Sequence, residues 1–174
     1  MTDFWESEKE LVEAFDRGKI PLMTFLREME SKRGKITADS ALGTAVVASF
    51  SRHTEGRDLI SLLLEANGFR TVRVERDTSI EEIVKLCDNE DVTVLCLSVQ
   101  ATWDLENIGK ADRLLKEMGI RDRILLNAGG GAVSEQVAER FGCDVFAETA
   151  VKTCTLIRKT VAEKHLKASE RCSR

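Results

Sequence analysis

The chain contains no tyrosine, only two histidines and a single proline in 174 residues. The missing tyrosine removes every mechanism that needs a phenolic acid or base, and the shortage of histidine removes metal sites built from several imidazoles. Any histidine chemistry rests on His53 or His165. The five cysteines, Cys87, Cys96, Cys143, Cys154 and Cys172, are odd in number, scattered and never spaced as CxxC. They indicate neither a zinc site nor a disulfide framework, and they fit a reducing cytoplasm. No stretch approaches the roughly 18 consecutive apolar residues of a membrane span. Residues 1–10 carry four acidic side chains in place of a signal-peptide core. The expectation is a soluble, untargeted protein without a membrane partner. Basic residues are in deficit, 26 against 30 acidic, for a net charge of -4 and a pI near 5.4, so the electrostatic footprint of a nucleic-acid binder is absent.

What is present is the composition of an ordinary globular protein, 43% hydrophobic and 32% charged, at a length suited to one core. Asp3 is placed to cap a helix whose apolar residues Phe4, Leu11, Val12 and Phe15 fall mostly on one side and which stops at Gly18. Pro21 opens a second amphipathic segment, with Leu22, Met23, Phe25, Leu26 and Met29 on one face, ending before Gly34. Residues 1–40 therefore read as a helical hairpin. From there short apolar runs alternate with amphipathic helices, the signature of a parallel sheet covered on both faces. The expected strands are 44–50, 70–74, 93–98, 123–127 and 145–147. Helices are expected at about 56–67, 79–88, 104–118, 134–141 and 150–166. The fold class is α/β, a flavodoxin-like (Rossmann-like) five-stranded parallel sheet, and residues 167–174 read as a frayed polar tail. Right-handed crossovers place ligands at the carboxyl ends of such strands.

Three loops lie there. The first is Ser51-Arg52-His53-Thr54-Glu55-Gly56, with an exposed histidine beside a glycine at the helix entrance. A neutral imidazole gives one ring nitrogen to a metal while the other donates to an oxygen, and Ser51 is a candidate acceptor. The second, Ser98-Val99-Gln100-Ala101-Thr102, supplies hydroxyls to the same crevice. The third, Asn127-Ala128-Gly129-Gly130-Gly131, lets backbone approach something flat or bulky, because any Cβ would occupy that space.

The order of these motifs resembles the cobalamin-binding domain of the methyl-carrying corrinoid proteins, a domain found also in cobalamin-dependent methionine synthases and carbon-skeleton mutases. The pattern there is Asp-x-His-x-x-Gly, then Ser-x-Leu, then Gly-Gly. Here it reads Ser51 to Gly56, then Ser98-Val99-Gln100, then Gly129-Gly130, with a matching Leu64-Glu65-Ala66-Asn67-Gly68-Phe69 between the first two. The resemblance extends from about residue 43 to 162. It implies a corrinoid (cobalamin) cofactor whose nucleotide tail descends into residues 41–166 and whose cobalt takes His53 as its lower ligand. By the same likeness Gly129 and Gly130 flank the tail, and Ser98 and Thr102 bond the tail or the histidine. Gly56 opens the helix beneath the corrin, and Ser51, Thr54 and Val99 complete the cofactor-binding set. No residue breaks a substrate bond. The implied function is a carrier that accepts a methyl group on cobalt from one methyltransferase and passes it to another, with a reductive activator as a further partner.

The sequence departs from the pattern at two motif positions. Ser51 stands where the acidic partner of the histidine is usual, which predicts a weaker imidazole donor. Gln100 stands in place of leucine. The cap is also short, a hairpin where the family's carriers have four helices, and Phe4, Trp5, Phe15 and Phe25 are candidates for a partial cover. Other readings are a mutase small subunit, or a degenerate cobalamin-like domain serving as a partner-binding or sensory module. A short-chain dehydrogenase is excluded by the missing tyrosine, a P-loop by the missing G-x-x-x-x-G-K-[ST]. A response-regulator receiver is disfavoured by Ser98, where the phospho-acceptor aspartate belongs. Trp103 is placed either to lie against the cofactor or to seal the next helix. His165 is expected in solvent.

Overall fold

The computed structural model describes residues 9–33 and 38–172, with side chains to residue 167. Asp3, Phe4, Trp5 and Gly34 lie outside the described residues. Helix α1 spans Lys9–Asp16 and α2 spans Leu22–Lys32. They are followed by β1 (Thr44–Ser49), α3 (Glu55–Ala66), β2 (Arg70–Arg73), α4 (Ile80–Leu86), β3 (Val92–Ser98), α5 (Glu106–Glu117), β4 (Leu125–Gly129), α6 (Glu135–Arg140) and α7 (Ala150–Cys172). Among the described residues no helix is long and apolar enough to cross a membrane.

The four strands form one parallel sheet in the order β2-β1-β3-β4. Every residue of β3 is buried and so is nearly all of β1 and β4, as a strand covered on both faces requires. Alternation then sorts the side chains. Ala45, Val47, Val94, Cys96 and Leu125 pack under α2, α3 and α7, while Val46, Ala48, Leu95, Leu97 and Leu126 pack under α4 and α5.

The fifth strand expected at 145–147 does not form. Val145 makes one isolated parallel bridge to Asn127. Side chains take over the pairing at this edge. The Asp144 carboxylate accepts from Leu126 N–H at 2.7 Å and the Asn127 side-chain amide donates to the Val145 carbonyl at 3.1 Å. The chain is thereby tied to β4 for two residues and then released. The other correction is at the C-terminus, where α7 continues through Cys172, beyond the expected end at 166. Lys, Ala, Ser, Glu and Arg with no glycine or proline give the helix no reason to stop.

Two polar devices fix the surroundings of the sheet. Gly68, at φ +95°, closes α3 with Gly68 N–H to Glu65 O and Phe69 N–H to Leu64 O, which drops Phe69 into the core. The Glu65 side chain, 9% exposed, accepts a forked pair of bonds from Arg33 at 2.7 and 2.8 Å and a hydroxyl from Thr71, tying the hairpin to the sheet. Within the hairpin, Phe15 and Phe25 stack at 4.2 Å between ring centroids.

Arg121 is the second device. It donates to Asp112 at 2.7 Å, to Asp144 at 2.9 Å and to the carbonyls of Ile124 and Gly142. Burial by itself would raise the Asp112 carboxyl, but hydrogen bonds from Lys116 and Arg121 outweigh it and hold the group below its usual value. Replacing Arg121 by Met is expected to cost about 2–3 kcal/mol in urea denaturation. A carboxyl whose folded value lies below its unfolded one contributes fully above the ordinary aspartate range and loses that contribution as pH falls through the folded value. The variant should therefore lose less stability than the parent when denaturation is repeated in acid.

Candidate functional site

Parallel pairing brings the three motif loops to one edge. Ser49 is in register with Ser98, and Ser98 with Gly129, so all three strands end at the same level. Below that edge lies a cavity of about 690 Å³. It is bounded at its mouth by His53, Glu55 and Met23, and its walls include Val47, Leu59, Cys96, Asn127, Gly129, Phe146 and Thr153. The walls are mostly apolar with few polar groups, the usual makeup of a small-molecule or cofactor site.

The first loop is shaped by two serines. Ser49 Oγ donates to the His53 carbonyl at 3.3 Å and accepts from Ser51 N–H, also at 3.3 Å. Ser51 Oγ accepts from the His53 backbone N–H at 3.1 Å. Among the described residues the histidine ring makes no bond to Ser51, whose Oγ serves the backbone of the same residue. The His53 side chain is left 82% exposed, with Nδ1 3.8 Å from Glu55 Oε2. Thr54 sits at the start of α3 and donates to Asp58 at 3.3 Å.

Close packing explains two of the glycines. A Cβ at Gly56 would stand 2.5 Å from Ser98 Oγ, so α3 begins against the end of β3 only because residue 56 has no side chain. Gly130, at φ +115°, would place a Cβ 2.4 Å from the Val99 carbonyl, which itself accepts from Ala132 N–H. Gly129 differs. Nothing lies within 4 Å of a Cβ built there, and it opens on the cavity. Gln100 joins the loops, its amide nitrogen donating to Ser98 Oγ at 3.5 Å and its oxygen accepting from Gly131 N–H at 3.0 Å.

The structure thus brings His53, Gly56, Ser98, Gly129 and Gly130 to the cavity. Ser51, Thr54 and Val99 are not among the residues that line it. Thr102 begins a short 3₁₀ turn, Thr102–Asp104, and faces solvent. Trp103 is 81% exposed and seals nothing. His165 is exposed, as expected. Glu55, Ser49 and the segment from Phe146 to Thr149 were not singled out by sequence. Glu55 was discoverable from its spacing two residues after His53, whereas Phe146 and Ala147 were hidden by their reading as strand. Cys96 reaches the cavity wall, and burial pushes its thiol well above the usual value. Burial acts likewise on Cys154, on Cys87, pushed up to about 12, and on Cys143, pushed up to about 11.

No family model matches the chain. Over 133 residues it is 28% identical to trimethylamine corrinoid protein 1 of Methanosarcina acetivorans, an alignment covering 75% of this chain and 60% of the relative. The chain therefore spans about three fifths of the length of that relative. Among solved structures it is similar to a cobalamin-binding protein from Desulfitobacterium hafniense DCB-2, with a TM-score of 0.72 and 22% identity over 90% of this chain and 78% of the other. It is also similar to a chain of the methanol:cobalamin methyltransferase complex from Methanosarcina barkeri, with a TM-score of 0.71 and 22% identity over 91% of this chain and 66% of the other. These structures share the α/β fold, and the sequence relative bears out the resemblance to corrinoid proteins.

The glycines separate two roles that substitution tells apart. Gly130→Ala is expected to lose at least about 2 kcal/mol of stability through the left-handed backbone and the Val99 carbonyl. Gly129→Ala is expected to stay within about 0.5 kcal/mol of the parent. Paired urea denaturation curves check both.

Proposed function

We propose that this chain is a corrinoid carrier that moves a methyl group between a donor-side and an acceptor-side methyltransferase. The observation that supports it best is the cavity beneath three in-register strand ends, with an exposed imidazole at its mouth and the bare backbone of Gly129 in its wall. The residues present fit such a cofactor. A lone accessible imidazole suits a metal that arrives with its other ligands already in place, and the open space at Gly129 leaves room for a buried nucleotide tail.

When bound, the corrinoid supplies a cobalt centre able to accept and release a methyl group. The chain supplies the setting. His53 is proposed as the ligand on the lower side of the metal. Gly129 and Gly130 form the wall along the tail, and Ser98 offers it a hydroxyl. Gly56 allows α3 to start close enough to β3 for the mouth to keep its shape. Ser51 and Thr54 hold the histidine loop, Val99 fixes the Gly130 turn, and Thr102 lies at the rim. Residues 41–166 are read as the cobalamin-binding domain and residues 1–40 as a shortened cap, with Leu22 and Met23 of α2 at the cavity. A reductive activator is the further proposed partner. The free thiols of Cys87, Cys96, Cys143 and Cys154 are consistent with a cytoplasmic setting.

Mixing the purified protein with hydroxocobalamin, desalting it and recording its absorbance tests the reading. The expected result is retained cobalamin, a spectrum altered by His53→Ala, and reduced retention in Gly129→Ala despite its intact fold. Retention indifferent to His53→Ala would remove the histidine from the metal. No retention would overturn the carrier function in favour of a cobalamin-like module without cofactor.

A further inference from the structure

Two carboxylates stand in the first turn of α3, and only one of them is spoken for. Asp58 accepts from Arg57 at 2.9 and 3.0 Å and from the Thr54 hydroxyl at 3.3 Å, and its charge is matched by the Arg57 guanidinium. Glu55 makes no such bond among the described residues. The His53 ring lies beside it, with Oε2 3.8 Å from Nδ1, and both side chains line the cavity. At 3.8 Å the pair falls short of a hydrogen bond, and side chains 82% and 41% exposed have room to reorient toward each other. The positive end of the α3 dipole favours a carboxylate at this position. Ser51 Oγ accepts from the His53 backbone N–H and carries no charge. Glu55 is therefore the acid within reach of the ring.

Resting on the proposed function, we infer that Glu55 is the positioning residue for His53. Its carboxylate accepts from Nδ1–H, which fixes the tautomer and leaves Nε2 as the free lone pair facing the metal. A metal-bound histidine gains donor strength when its second nitrogen donates to a carboxylate. The charge missing at Ser51 is supplied from four residues further along, on the far side of the histidine. Glu55 touches neither substrate nor metal and acts only through the ring.

Electron paramagnetic resonance of the full chain, loaded with cobalamin and reduced to Co(II), reads this directly through the nitrogen splitting of the axial ligand. Glu55→Gln keeps the shape of the side chain. The expected result is an unchanged melting temperature, with the ratio of histidine-bound to histidine-free cobalt in the cobalamin-loaded fraction falling about tenfold. Glu55→Asp, which keeps the charge, is expected to fall between Gln and the parent. A parental ratio in Glu55→Gln sinks the role of Glu55 while leaving the carrier reading intact. An equally deep fall in Glu55→Asp overturns it too, because shape and not charge would then be the cause. If the parent itself shows no nitrogen splitting that His53→Ala removes, the histidine assignment and this inference fall together.

Discussion

The register of three parallel strands is the constraint on which the site depends. Main-chain hydrogen bonds hold Ser49 level with Ser98 and Ser98 level with Gly129, so loops separated by dozens of residues emerge side by side. Close approach does the rest. The first turn of α3 comes against Ser98 because residue 56 lacks a Cβ, and the turn after β4 comes against the Val99 carbonyl because residue 130 lacks one. Gln100 then fills the space the glycines leave and bonds both neighbours. The motif residues are therefore of two kinds. Some face the cavity, and others exist so that the first kind can.

Much of this was legible in the sequence. Short apolar runs between amphipathic helices identify a parallel sheet because a strand covered on both faces has no polar side to show, and β1 and β3 behave accordingly. The fifth strand was misread because Val145, Phe146 and Ala147 are apolar for another reason. Val145 is held at the sheet edge, where Asp144 and Asn127 spend side-chain bonds in place of a ladder, while Phe146 and Ala147 turn to line the cavity. Periodicity over three residues does not distinguish these cases. The loop after β1 was misjudged for a related reason. Sequence showed a serine two residues before a histidine, but not that its hydroxyl would be taken by the backbone of that histidine. Local side-chain to backbone bonds compete for the same acceptors, and only geometry shows which bond wins.

The hairpin is better integrated than its brevity suggests. Val12, Phe25 and Met29 belong to the same core as Val47 and Cys96, and the forked bond between Arg33 and Glu65 ties α2 to α3. Leu22 and Met23, at the start of α2, stand at the cavity, so the segment before the sheet is part of the site's enclosure and not an appendage to it.

Cys96 sits in the cavity wall with its thiol driven strongly toward the protonated form by burial. In the proposed carrier, a transferable alkyl group would be at risk from any soft nucleophile within reach, since thiolate sulfur is alkylated readily. Burial favours the protonated, weakly nucleophilic form of this sulfur. For the proposed carrier the apolar lining thus has a protective consequence beyond shape: it would allow a cysteine to fill space beside reactive cargo without becoming its acceptor.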